Sequence, residues 1–146
     1  MKVSDHILLP AEPERVWETL VRWEEQPRWM RDAASVRVLG ARREGVGTIL
    51  AVRTRLANVP AFTERLEVTV WDPPRHLVVA HRSFVRGVGA WRLQPVERGT
   101  WFTWSEDLRL PIPFLGELLL RADRPLLRRR MAASLQWLRA QVAASG

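Results

Sequence analysis

Two carboxylates and one imidazole stand where polar groups are out of place. In residues 62–71, alternation puts Phe62, Glu64, Leu66, Val68 and Val70 on one face and Thr63, Arg65, Glu67 and Thr69 on the other. In residues 100–110, Phe102, Trp104, Glu106 and Leu108 share a face opposite Thr103, Ser105, Asp107 and Arg109. A carboxylate on an apolar face is costly unless it is paired, hydrated or protonated. Bordering a cavity, Glu64 and Glu106 could orient a ligand hydroxyl or carbonyl, or serve as acid and base. The plainer alternative puts them at a rim, bonded to an arginine or to water. His81 follows Leu77 and Val79 on an inner face, so it is the histidine able to reach the same volume. Relayed by either glutamate it is a candidate base; a hydrogen-bonded wall histidine is the simpler reading. His6 and His76 lie apart in the sequence, and no cysteine completes a metal-ligand spacing, so no metal is expected. Ser83 lacks the sequence context of a nucleophile elbow.

The elements that must position these groups come in a simple order. Residues 3–9 read as a strand ending at Pro10. Pro13 opens a short helix with Val16, Trp17, Leu20 and Val21 inward, and residues 23–30 make a second. Six strands follow at 35–40, 48–56, 62–71, 77–83, 90–95 and 100–110. Residues 57–60 form a reversal, Asp72–Pro73–Pro74 ends the fourth strand, and 86–89 and 97–99 are hairpin links. In the third strand Arg53 and Arg55 face out, leaving Leu50, Val52, Thr54 and Leu56 in. Trp91 and Leu93 are the inner pair of the sixth. Residues 115–142 then carry apolar side chains at Leu115, Leu119, Ala122, Leu126, Leu127, Met131, Leu135, Leu138 and Val142, one stripe on a long helix. Its arginines at 121, 124, 128, 129, 130 and 139 fall beside or opposite the stripe. Pro125 predicts a kink or restart there, with Asp123 capping a second segment. With no second long helix to pair with, this one must bury its stripe on the sheet. The class is α+β, with one domain over residues 1–146.

Composition narrows the functions. Zero cysteines in 146 residues exclude disulfides and a thiol nucleophile. No 18-residue apolar run or signal-like leader is present, so the expected location is cytoplasmic. The net charge of +7 is spread along the chain among 16 acids, dense only at 121–130, and Lys2 is the single lysine. Without zinc-finger spacing, a phosphate loop or paired sheet aromatics, no nucleic-acid partner is expected. Eight tryptophans are many for this length. Trp17 and Trp137 suit packing between helix and sheet, Trp91 and Trp104 suit a cavity wall, and Trp101 points outward. Residues 110–120 (LPIPFLGELLL) form a shaped apolar loop, read as a lid or connector; with the basic segment, transient membrane contact through 110–130 is the alternative.

Taken together, ILLPAEPERVW (7–17), WEEQPRW (23–29), VTVWDPPRHL (68–77), GTWFTWSEDL (99–108) and the closing helix resemble a known superfamily. It unites the major birch-pollen allergen, the START-like lipid-transfer domains and the bacterial polyketide cyclase/dehydrase-like proteins, together called SRPBCC. The resemblance implies a helix-grip fold: a curved seven-stranded antiparallel sheet around the long C-terminal helix, with two short helices between strands 1 and 2. It also implies a cavity for a small hydrophobic ligand of lipid, polyketide, quinone or aromatic type, without an organic cofactor. The candidate wall is then Leu50, Val52 and Thr54; Phe62, Glu64 and Leu66; Val79 and His81; Trp91; Phe102, Trp104 and Glu106; and Phe114, Leu119, Leu127 and Met131. Binding or transfer is the leading function. A cyclase or dehydratase using Glu64, His81 or Glu106, and a protein-interaction domain with a filled core, are the alternatives, as monomer or homodimer.

Overall fold

The computed structural model describes residues 1–56 and 59–145, with side chains at 56 and 59–61 left aside. The reversal expected at 57–60 and the inward Leu56 therefore fall largely outside the described residues. Strand β1 (Lys2–Leu9) leads to helix α1 (Pro13–Leu20) and a 3₁₀ helix (Trp23–Arg28). Strands β2 (Ala33–Leu39), β3 (Ile49–Leu56), β4 (Val59–Asp72), β5 (His76–Arg82), β6 (Arg86–Val96) and β7 (Gly99–Arg109) precede helix α2 (Leu115–Ala144). The seven strands form one antiparallel sheet in the order β1-β7-β6-β5-β4-β3-β2, curved around α2. Pro13 takes the first turn of α1, where its missing N–H has no partner to lose.

Alternation holds until the bulges interrupt it. A register shift between Val68 and Val70 turns the phase of β4, so Val70 faces out at 36 % exposure although its spacing predicted an inward position. Trp71 turns in instead, its ring 5.1 Å from that of Trp17. A second shift between Thr54 and Arg55 brings the expected outward Arg55 to the edge of the interior volume. The link expected at 86–89 is strand: Gly87 and Gly89 belong to β6 and pair with Leu108 and Glu106 of β7. Glycine there answers to the neighbouring strand rather than to a turn, because a Cβ on Gly87 would strike the Asp107 carbonyl oxygen.

Helix α2 runs unbroken through Pro125, contrary to the expected restart. Proline costs the Arg121 carbonyl its helical partner, but both residues are exposed and water can take that bond. Asp123 accepts a hydrogen bond from Arg130 instead of capping a new segment. Only the second half of the predicted stripe is buried: Met131, Leu135, Leu138 and Val142, joined by Ser134. In the first half the buried positions are Gly116 and Leu120, while Leu115, Leu119, Ala122 and Leu126 face solvent. Trp137 is also largely exposed, stacked under the Arg31 guanidinium at 4.3 Å. The solid core thus lies under the C-terminal half of α2, built on Leu9, Leu20, Trp29, Leu93 and Phe102.

Candidate functional site: an apolar cavity with a charged row

Under the first half of α2, sheet and helix do not close, and a cavity of about 210 Å³ remains. Its wall is mainly hydrocarbon and indole, from Leu50, Val52, Leu66, Val79, Trp91 and Met131 among others. On the sheet side the polar part is one continuous hydrogen-bonded row. His81 Nδ1 lies 3.2 Å from Glu64 Oε1, and its Nε2 lies 3.1 Å from Glu106 Oε2. Thr54 Oγ1 donates to Glu64 Oε2 at 2.7 Å, and Trp104 Nε1 donates to Glu106 Oε1 at 3.1 Å. The three charged side chains are 9–14 % exposed.

The strand order explains how these groups meet. Leu66 of β4 pairs with His81 of β5, so Glu64 stands one inward position along from that pair. Glu106 is on β7, with β6 between it and His81. Gly89, directly opposite Glu106, leaves the gap: a Cβ there would lie 2.7 Å from Glu106 Oε2. Burial acts to lower the proton affinity of His81, but the hydrogen bonds and charges of Glu106 and Glu64 outweigh it and push the pKa up to about 10. At neutral pH the row is therefore an imidazolium giving one N–H to each carboxylate.

A second charged group closes the helix side. Arg130 pairs with Asp32 at 2.8 Å and with Asp123 at 3.4 Å. Burial raises the pKa of Asp32 against the opposing pull of Arg130, with the charges of Asp123, Glu64 and Glu106 adding to the rise.

The expected wall is largely assembled. Leu50, Val52, Thr54, Phe62, Glu64, Leu66, Val79, His81, Trp91, Trp104, Glu106, Leu127 and Met131 all border the cavity. Three expected wall residues do not border it. Phe102 is fully buried in the solid core, Phe114 is 93 % exposed at the start of α2, and Leu119 points to solvent while Leu120 takes the inward position. Each glutamate bonds to His81 and to one further donor of the wall, Thr54 for Glu64 and Trp104 for Glu106. Asp32, Asp123 and Arg130 were missed as wall residues. Arg130 follows Leu127 by three and adjoins Met131, so helical spacing carried the signal and its charge hid it.

A curved antiparallel sheet gripping one long helix over a cavity defines a helix-grip protein of the START-like, cavity-binding class. Over residues 1–143 the chain matches the family described as polyketide cyclase/dehydrase and lipid transport, and it belongs to that family. TTHA0849 from Thermus thermophilus superimposes with a TM-score of 0.81 at 22 % identity, covering 100 % of this chain and 99 % of that one. The Zhui aromatase/cyclase from a Streptomyces species gives 0.78 at 17 % identity over 98 % and 93 %. A START superfamily protein from Mycobacterium smegmatis gives 0.77 at 14 % identity over 97 % and 98 %. At these identities the likeness is one of fold. No curated protein matches the chain. Fold and family together support a cavity-ligand-binding function in the general sense.

Proposed function

We propose that this protein binds or carries a small, largely apolar molecule in the cavity between sheet and α2. One observation carries the reading: a continuous, mostly apolar volume of about 210 Å³ with its polar groups gathered in defined clusters. That volume also weighs against the filled-core alternative. A void of about 150 Å³ is enough to take up benzene, and drug-sized ligands occupy roughly 300–1,000 Å³. A body of one or two fused rings therefore suits this cavity better than a sterol or a long acyl chain. The Zhui aromatase/cyclase has the same fold, and an acid–base cyclase or dehydratase is the second reading, resting on the Glu64–His81–Glu106 row. A general acid or base works best with a pKa near the operating pH and a free side toward its substrate. His81, held near 10 with both nitrogens facing carboxylates, weighs toward binding.

The test is native mass spectrometry and solvent extraction of the purified protein, followed by titration with naphthalene. Wild type should bind this probe, and Val79→Phe, which fills the cavity from β5, should weaken binding at least roughly tenfold while keeping its circular dichroism. No uptake by wild type sinks the proposal. Equal binding by a folded Val79→Phe puts the ligand elsewhere.

A further inference from the structure

We propose that the cavity selects ligands whose polar end donates a hydrogen bond, a hydroxyl or an amine N–H, and rejects carboxylates and phosphates on the same apolar body. This rests on the binding reading above and adds the chemistry of the polar end. Four carboxylates border the cavity, Asp32, Glu64, Glu106 and Asp123, against the cations Arg55, His81 and Arg130. Four acidic side chains thus stand against three basic ones, inside a chain whose net charge is +7.

The donors of the charged groups in this wall are mostly directed at its own acceptors; Arg130 Nε, 2.8 Å from Asp32 but without hydrogen-bond geometry, is the exception. His81 has both nitrogens on glutamates, Thr54 and Trp104 give their protons to the same two residues, and Arg130 faces Asp32 and Asp123. Arg55 is engaged as well. An ionised carboxylate offers about four acceptor positions. Glu64 and Glu106 each use two of them in the bonds named, so each keeps roughly two for a ligand. A ligand proton can therefore meet a buried carboxylate without displacing a bond of the row, and bonds to charged acceptors are the stronger kind. At the row, a ligand carbonyl would have to compete with a glutamate for a donor. A ligand carboxylate would add a like charge to a poorly hydrated, acidic wall.

Four probes of one shape test this at pH 7: naphthalene, 1-methylnaphthalene, 1-naphthol and 1-naphthoate, titrated calorimetrically into the wild-type protein. The proposal expects 1-naphthol to bind about tenfold or more tighter than 1-methylnaphthalene, and 1-naphthoate to bind more weakly than naphthalene. It is overturned if 1-naphthol binds no better than 1-methylnaphthalene, or if 1-naphthoate binds best. Either result leaves the binding reading standing, because naphthalene still binds. If naphthalene and the other three all fail, the binding reading falls and takes the proposal with it. In Glu106→Gln, which replaces one acceptor oxygen by a donor amide, the preference for 1-naphthol should narrow severalfold. Should that variant not fold, the four-probe series on wild type decides alone.

Discussion

His81 is an imidazolium because two buried carboxylates make it one, and that has a consequence for stability. Its pKa rises from 6.5 to about 10 on folding. A group whose folded pKa is raised stabilises fully below its unfolded pKa and loses that contribution as pH climbs through the folded value. The row should therefore stabilise the protein most below about pH 6.5 and cease to do so above about pH 10, a change of several kcal/mol at most. The chain suits the experiment: it has no tyrosine and no cysteine, and Lys2 is its single lysine, so few other side chains titrate in that window. Urea unfolding of wild type and His81→Gln at pH 7 and pH 10.5 is the measurement. Wild type should lose more stability between the two than the variant does; equal losses would show that the glutamates do not hold the proton.

Helix α2 is two helices in function though one in hydrogen bonding. From Met131 onward its inner face is core, with Leu135 at 2 % and Leu138 at 0 % exposure. Before that, the inner face spans the cavity and the outer face carries Leu115, Leu118, Leu119 and Leu126 in solvent. Leu135→Ala should therefore cost about 2–5 kcal/mol, the usual range for emptying a packed leucine site. Leu119→Ala, although it sits on the same predicted stripe, should change stability by roughly 0.5 kcal/mol or less, as surface substitutions do. Chemical denaturation of the two variants separates them, and a comparable loss at Leu119 would put that side chain inside. The β-bulges do similar work in the sheet: the one after Val68 exchanges Val70 for Trp71 at the core.

At the scale of the whole molecule, packing is uneven. The end built from Leu9, Leu20, Trp29 and Phe102 under the second half of α2 is solid, with those four side chains at 0 % exposure. The other end holds the cavity, closed by Leu120, Leu127 and the Asp32–Arg130–Asp123 group. Local opening costs least where fewest apolar contacts must break. Native-state hydrogen exchange should accordingly be slowest at amides of residues 100–104 and 135–142, and faster by orders of magnitude at residues 118–124 of the same helix. Uniform protection along α2 would contradict the two-ended core. Binding in the cavity should slow the second set more than the first, since the ligand supplies the contacts that end lacks.

The element order, the antiparallel sheet and the inward positions of Glu64, His81, Glu106 and Trp104 follow from alternation and from Pro and Gly punctuation, which are local properties of the chain. So does the buried half of α2, where a helical stripe meets the apolar inner face of the sheet. Other features depend on distant partners. Two register shifts, each with its extra residue in β4, altered how that strand meets β3 and β5, and no periodicity records a one-residue shift. Gly87 and Gly89 looked like a turn because glycine means a turn in most contexts; here their missing side chains make room for β7 and for the Glu106 carboxylate. The first half of α2 carries leucines on nearly every side, so sequence could not choose between Leu119 and Leu120; the position of the sheet chose Leu120. The meeting of Glu64, His81 and Glu106 across three strands, and of Asp32 with Arg130 across about a hundred residues, exists only once the sheet has closed around the helix. Charge pairing of this kind has no local signature, because it depends on which surfaces are brought together after the chain has turned.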